Sequence, residues 1–419
     1  MLTGHGALCP TTTPLSGSIS SEYDVVSHVG RGGYGNVYKA INKSTGEIVA
    51  LKKVNSFDIH GGLPTSYYRE VNCLKEMRGH PNIVNLKNIC RSKDSSSGES
   101  CLYLVMDYCE YDLSGLIHNY GLTIRQIQSF MRQILIAVQD MHSHGYVHRD
   151  LKPSNVFVTK EGVIKVGDFG LTRKLDKSRP LTSKVITPSY RPPEVLLGDS
   201  HYDQSVDVWS LACVLYEMVT GKVLFRPSTA SDLSQLLSIF EICGMPNQEN
   251  WPGFDKLPNA SILQMCQSPK NSNNQYSNNS MTFSNNSMTQ YSNNSFSDGF
   301  SYQCKSALRE LLEQTIPPQL HTIVDLLESM LQLDPRRRAT IAQALEHPFF
   351  ADTEQASAAG TSFELSCLPY PETHAIDVSA KIPLAKHKNL NANVDFVNKA
   401  LNARQILRPA RVLPPPILA

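Results

Sequence analysis

The chain has 419 residues, 41% of them hydrophobic, which allows one large domain or two lobes with separate cores. Its 39 basic and 38 acidic residues nearly cancel, which removes the electrostatic case for a nucleic-acid binder, and no apolar run approaches the roughly 18 residues of a membrane span. Ten cysteines, with no C-x-x-C pair and no histidine at zinc-finger spacing, fit reduced thiols inside a cell rather than a disulfide framework or a metal site.

Residues 1–22 begin with a Thr-, Ser-, Gly- and Pro-rich stretch that has no hydrophobic period, so this segment is expected to be disordered. It also lacks a basic segment ahead of an apolar core, which speaks against secretion. From Tyr23 the pattern changes to short β runs, Tyr23–Val29, Asn36–Ile41 and Glu47–Val54, parted by glycine-rich and Ser-Thr-Gly turns. The first of these turns is Gly30-Arg31-Gly32-Gly33-Tyr34-Gly35-Asn36-Val37, a G-x-G-x-x-G-x-V run. Glycine suits a place where backbone amides approach phosphate oxygens, because a Cβ would hold them off. A dinucleotide-binding turn would lead straight into a helix. Here a β run follows, so a hairpin covering a nucleotide is expected.

In the next run, Val49-Ala50-Leu51-Lys52, strand alternation places Ala50 and Lys52 on one face. That sets a small residue over a flat base and an ammonium near phosphates. A lysine on an inner face needs a counter-charge. Glu70 is the candidate, on a helix expected to begin after Pro64 and run through Leu74 and Met77.

Past a hinge-like stretch at Asp107–Cys109 the period becomes helical. Ile127, Phe130, Met131, Ile134, Val138 and Met141 recur at that spacing, as do Val208, Leu211, Val214, Leu215 and Met218. A β-rich part joined to a helical part suggests two lobes with a cleft between them, where ligands usually bind. Between the two helical stretches lie His148-Arg149-Asp150-Leu151-Lys152-Pro153-Ser154-Asn155 and Asp168-Phe169-Gly170. Asp150 can accept the proton of an attacking hydroxyl, and Lys152 can sit near a γ-phosphate. Asn155 and Asp168 are hard oxygen ligands of the kind Mg²⁺ prefers. Together these are the parts for phosphoryl transfer.

Residues 271–297 are dominated by Asn and Ser and carry no charge, so the segment 267–303 is expected to be a disordered insertion in the helical lobe. Arg336-Arg337-Arg338, between Asp334-Pro335 and a helix-like segment, reads as structural rather than as a localisation signal. Residues 351–419 have weak periodicity and are expected to lie over the surface or to be mobile.

From residue 23 to about 350 these motifs resemble the eukaryotic Ser/Thr protein kinases, and within them the cyclin-dependent kinases. The resemblance implies an α+β bilobal fold, with a small β-rich lobe over 23–108 and a larger helical lobe over 109–350. It also implies ATP and Mg²⁺ as cofactors. Pro64-Thr65-Ser66-Tyr67-Tyr68-Arg69-Glu70 is similar to the helix through which such kinases bind a cyclin, keeping its Pro, Arg and Glu. Thr187-Pro188-Ser189-Tyr190-Arg191-Pro192-Pro193-Glu194 matches the family segment ending in P-P-E, with Ser189 where the family has Trp. The P-P-E form and Cys243-Gly244-Met245-Pro246 with Trp251-Pro252 lean towards the transcription-associated branch.

By the same resemblance Met106 is the gatekeeper, backbone groups of Asp107 and Cys109 pair with adenine, and Asp112 sits near the ribose. Asp207 braces the catalytic loop, and Glu194 pairs with Arg338. Thr182 stands where a separate activating kinase adds a phosphate, with Arg69, Arg149 and Arg173 at the positions that clamp it. Unpaired, those three guanidinium groups would repel one another and keep the segment mobile. Lys184 stands where a mitogen-activated kinase would have Tyr, which argues against that group. Tyr34 occupies the site of an inhibitory phosphate in cell-cycle kinases. Thr187 and Arg191 border the site for the residue after the phosphorylated one, and Arg191 keeps the proline-directed signature.

The implied protein is an ATP-dependent Ser/Thr kinase in the nucleus, the cytoplasm or both, acting with a cyclin on Ser/Thr-Pro sites of cell-cycle or transcription proteins. A cyclin-independent kinase is the alternative. An inactive scaffold is the remote one, since Lys52, Asp150, Asn155 and Asp168 are all present.

Overall fold

The computed structural model describes residues 19–32, 35–54, 63–93, 100–176, 178–182, 185–263 and 306–351, together with Glu372 and His374. The expectations for residues 1–18, Gly33, Tyr34, Lys184, the 267–303 insertion and the rest of the tail lie outside the described residues.

After a single helical turn, α1 (Ile19–Glu22), the first lobe is a five-stranded antiparallel sheet. Its strands are β1 (Tyr23–Gly32), β2 (Gly35–Asn42), β3 (Ile48–Val54), β4 (Leu86–Lys93) and β5 (Ser100–Asp107), in spatial order β1-β2-β3-β5-β4. The expected hairpin is present, with Gly30 opposite Val37 and Gly32 opposite Gly35. Gly35 has φ 147°, a conformation that L side chains rarely adopt, so a glycine is required there. Alternation divides β3: Val49 and Leu51 pack with Ala40, Cys90 and Val105 on one face, while Ala50 and Lys52 face the cleft.

Helix α2 (Thr65–Glu76) packs against β4 and the turn at Phe169–Leu171, with Glu70 and Leu74 on the cleft. Pro64 is its N-cap rather than its first helical residue, with φ −56° and no side-chain cap. The buried face of α2 carries Glu70, Val71, Cys73 and Leu74, so a carboxylate is brought inward with the apolar stripe.

The second lobe is helical: α3 (Leu113–Asn119), α4 (Ile124–Ser143), α5 (Pro193–Leu196), α6 (Ser205–Thr220) and α7 (Asp232–Cys243), followed by shorter helices at Leu308–Thr315, Thr322–Met330 and Ile341–Leu345. A capping box starts α4, Thr123 accepting from the Gln126 amide and Gln126 from the Thr123 amide. Helix α6 is buried nearly all round and stops at Gly221 in the left-handed region, φ 68°. It is the post on which the lobe is built.

Five short strands position the chemistry: β6 (Tyr111–Asp112), β7 (Tyr146–Val147), β8 (Val156–Val158), β9 (Ile164–Val166) and β10 (Arg173–Lys174). β6-β8-β9 form one sheet, and β7 pairs with β10. The loop 148–155 therefore runs between β7 and β8, and Asp168–Gly170 between β9 and β10. Both loops are pinned at each end by a ladder. The arginine run divides as a structural element would, with Arg336 and Arg337 on the surface around Asp334 and Arg338 inside against Glu194.

Candidate active site

Lys52 reaches inward from β3 and meets two carboxylates. Its Nζ lies 2.7 Å from Glu70 Oε1 on α2 and 3.1 Å from Asp168 Oδ1. Burial opposes the charged ammonium, but the Glu70 and Asp168 carboxylates outweigh it and hold the Lys52 pKa above its ordinary value. Burial raises the Glu70 carboxyl despite its lysine partner. Asp168 moves the other way: burial would raise it, yet the Lys52 charge and hydrogen bond leave it below the usual carboxylate range. Asp168 also holds φ 59°, a left-handed conformation that costs a non-glycine residue about 1–3 kcal/mol and persists only where its surroundings fix it.

Asp150 is the hub of the second cluster. Its Oδ2 accepts from Lys152 Nζ at 2.8 Å and from Asn155 Nδ2 at 2.9 Å. Its Oδ1 accepts from the Thr187 hydroxyl at 2.7 Å and the Thr187 amide at 3.2 Å. Lys152 Nζ also donates to the Thr187 hydroxyl at 3.0 Å, so that hydroxyl bridges the lysine and the aspartate. Asn155 Nδ2 donates to the Asp150 carbonyl as well, which turns the nitrogen end of its amide towards Asp150.

The loop that carries Asp150 is braced from below by α6. Fully buried Asp207 accepts from the backbone amides of His148 at 2.8 Å and Arg149 at 3.0 Å, and contacts His142 Nε2 at 2.9 Å. Burial raises the Asp207 carboxyl, but His142, His148 and the backbone donors bring it below its ordinary value. These bonds hold Arg149 in the left-handed region, φ 65°.

The two clusters open into one cavity of about 370 Å³ between the lobes. Val29, Gly30, Val37 and Ala50 line it from the sheet, Met106, Asp107, Tyr108 and Cys109 from the linker between lobes, and Lys52, Lys152, Asn155 and Asp168 from the reactive end. Arg31 and Gly32 complete β1, whereas Gly33 and Tyr34 are not described. The Asp107 amide is committed to the Asn85 carbonyl at 3.2 Å, which leaves the Asp107 carbonyl as the group available to a base. Asp112 reaches the cavity but also caps α3, accepting from the Gly115 amide at 2.7 Å, a structural duty its sequence position does not announce. Asn155 and Asp168 supply oxygen donors on the same wall, a set that fits a hard divalent cation.

In the activation segment Thr182 is exposed, and its carbonyl accepts from the Tyr202 hydroxyl at 2.8 Å. Arg149 donates to that same hydroxyl at 3.0 Å and to the Leu171 carbonyl at 2.8 Å. Arg149 is thus buried and hydrogen-bonded to neutral acceptors. Arg69 is half-buried on α2, and Arg173 half-buried on β10. Farther on, Ile186 has φ 67°, unusual for a β-branched residue, and its carbonyl accepts from Arg191 Nε at 3.1 Å and an Arg191 terminal nitrogen at 2.9 Å. Arg191 also pairs with Asp232 at 2.6 Å.

Two contributors lie where the motifs gave no signal. His374 lines the cavity, and Glu372, exposed, bonds Tyr108 and Lys39.

Residues 23–350 match the family described as protein kinase domain. Among curated proteins the chain is 35% identical to the serine/threonine-protein kinase ppk23 of Schizosaccharomyces pombe over 336 residues, 79% of this chain and 73% of that kinase. It is 35% identical to cyclin-dependent kinase 12 of Caenorhabditis elegans, over 80% of this chain and 41% of that protein. It is 38% identical to cyclin-dependent kinase C-2 of Arabidopsis thaliana, over 58% of this chain and 50% of that protein. Against the latter two, then, the match spans half of the relative's length or less. Among solved structures it resembles a chain of the CAK complex of Chaetomium thermophilum bound to ATP-gamma-S, with a TM-score of 0.63 and 30% identity, covering 79% of this chain and 91% of that one.

Proposed function

This chain belongs to the protein kinase family as a serine/threonine kinase of the cyclin-dependent group, and we propose that it transfers the γ-phosphoryl group of ATP to Ser or Thr followed by Pro. The observation that carries this reading is the convergence of Lys52–Glu70–Asp168 and Asp150–Lys152–Asn155 on one cavity. ATP as donor is supported by the solved relative, whose complex is bound to ATP-gamma-S.

Asp150 takes the proton of the substrate hydroxyl as its oxygen bonds to the γ-phosphorus and the bond to the bridging oxygen breaks, leaving ADP. Lys152, already bonded to a hydroxyl at Thr187, steadies charge on the transferred group. Lys52, set by Glu70, does so along the phosphate chain. Asn155 and Asp168 would hold Mg²⁺, which when bound neutralises phosphate charge. Most of the catalysis is positioning and charge compensation.

Proline direction rests on Ile186 and Arg191. The Ile186 carbonyl is consumed by Arg191, so a substrate amide following the phosphorylated residue would find no acceptor there. Proline has no amide to satisfy.

A cyclin on the α2 face is supported by Tyr68, 51% exposed on that helix, and by a relative solved as part of a complex. The substrates proposed are proteins of the cell cycle or transcription machinery, and activation is by a separate kinase at Thr182. An intracellular site, nuclear or cytoplasmic, is supported by the six described cysteines, all free and buried.

The test is phosphorylation of Ser/Thr-Pro peptides by the chain purified with its bound proteins, beside Asp168→Asn. Transfer by wild type and none by the variant is expected. Undiminished transfer by Asp168→Asn, or none by wild type, would sink the reading.

A further inference from the structure

Helix α2 carries a second carboxylate that reaches beyond its own helix. Glu76, its last residue, meets Lys174 Nζ on β10 at 2.8 Å, and the Tyr146 hydroxyl on β7 donates to the same carboxylate. Lys174 Nζ in turn lies 5.1 Å from the centre of the Tyr146 ring, so cation, phenol and carboxylate close on one another. Tyr146 and Lys174 stand directly opposite in the β7–β10 ladder, and just beyond it the Leu175 amide donates to the Gly145 carbonyl at 2.8 Å. The electrostatics agree. Hydrogen bonds from Lys174 and Tyr146 hold the Glu76 carboxyl below its ordinary value, while burial and that carboxylate push the Tyr146 hydroxyl up.

The Lys174 and Glu76 side chains are 57% and 40% exposed, and an ion pair that wet contributes little by itself. Tyr146 changes the balance, because it is buried and offers both a ring face and a hydroxyl. The place of the cluster gives it a role. β7 leads into the loop that carries Asp150, and β10 leaves the Asp168–Gly170 turn for the activation segment. Along α2, Glu76 stands about 9 Å from Glu70 and about 120° round the axis from it. A helix held at one point can roll about its axis; one held at two such points cannot. Glu70 on Lys52 is the first point, and Glu76 on Lys174 and Tyr146 the second.

We propose that Glu76, Lys174 and Tyr146 are positioning residues that fix the roll of α2 and so keep Glu70 against Lys52, a latch supplied by the chain itself. The inference rests on the reading of the cavity as a kinase active site. Its consequence is transfer that does not depend wholly on a second protein at the exposed face of α2.

The test follows transfer to a Ser-Pro peptide by the full chain, alone and with its bound proteins, at matched Thr182 phosphorylation. The variants are Glu76→Ala, Lys174→Ala, the two combined, Tyr146→Phe and Lys174→Arg. Urea midpoints and amide hydrogen exchange over residues 65–76 are recorded alongside. In the chain alone both alanine variants should lower kcat by about threefold to tenfold at nearly constant peptide KM, with faster exchange in α2. The combined variant should be no slower than the worse single one, because one latch is lost only once. Tyr146→Phe should fall between, and Lys174→Arg, which keeps charge and reach, should stay near wild type. Bound proteins should shrink every loss. Unchanged kcat in both alanine variants, losses that multiply in the combined one, or a lowered urea midpoint with kcat intact would each overturn the latch and leave the kinase reading in place. So would a wild-type chain active only with its bound proteins. Transfer by neither form of wild type would sink the kinase reading, and the latch with it.

Discussion

Arg338 grips Glu194 with both terminal nitrogens, at 2.7 and 2.6 Å, and its guanidinium lies 4.9 Å from the centre of the Trp209 ring on α6. The two residues are 144 apart in sequence and both buried, so the pair ties the end of the activation segment to the base of the lobe. Removing one member strands a charge in the interior. Arg338→Ala should cost about 3–5 kcal/mol in urea unfolding, and Arg338→Lys, which cannot make the two-pronged contact, should lie between it and wild type. Equal stability of Arg338→Ala and wild type would contradict this account.

Freeing the Ile186 carbonyl should blunt the choice of proline. In Arg191→Ala that oxygen could accept from an ordinary backbone amide. The ratio of kcat/KM for Ser-Pro over Ser-Ala peptides should then fall by about tenfold, the scale of one unmade buried hydrogen bond. The assay is a paired peptide series, and a ratio unmoved by the substitution would assign proline choice elsewhere.

Thr182 is exposed while its carbonyl is tethered through Tyr202 to Arg149. A phosphate on its hydroxyl brings close to two negative charges beside a chain already held at that point. Phosphorylated chain should exceed unphosphorylated chain by about tenfold or more in kcat/KM, with Thr182→Ala staying at the lower level in the presence of its partner. Thr182→Ala matching the phosphorylated enzyme would remove the clamp.

Asp207 fixes an acid-side dependence. Its folded pKa lies below the ordinary 3.8, so its contribution is complete above the unfolded value and fades as pH falls through the folded one. Asp207→Asn should therefore be less stable than wild type by a constant margin above about pH 5, shrinking below about pH 4 as the native carboxyl protonates. Urea midpoints across that range provide the readout. A margin that grew on acidification would reverse the sign.

Much of this site was legible because its groups recur at fixed short spacings. Asp150, Lys152 and Asn155 share one loop, and Lys52 is placed by period-two alternation, so pattern alone brought them to the right surfaces. Glu70 followed from charge balance. What escaped notice depends on distant packing. Tyr202 accepts from Arg149 from a loop that carries no motif, and His142 reaches Asp207 from the end of α4. Asp112 doubles as a helix cap because α3 begins one residue later, a boundary that the apolar spacing does not resolve. Glu372 and His374 lie in a stretch of weak period, where no local rule marks a residue destined for a remote cleft.

The four bonds on Asp150 also bear on water. Both oxygens of this base are engaged before any substrate arrives, by Thr187 on one side and by Lys152 and Asn155 on the other. A solvent molecule has only its own hydrogen bonds with which to displace that arrangement, whereas a peptide brings the contacts of its flanking residues. Idle hydrolysis of ATP should accordingly be slow in the absence of an acceptor protein, and Thr187→Ala, by removing the shorter of the two bonds to Oδ1 and leaving only the backbone amide, should quicken the wasteful reaction relative to the useful one.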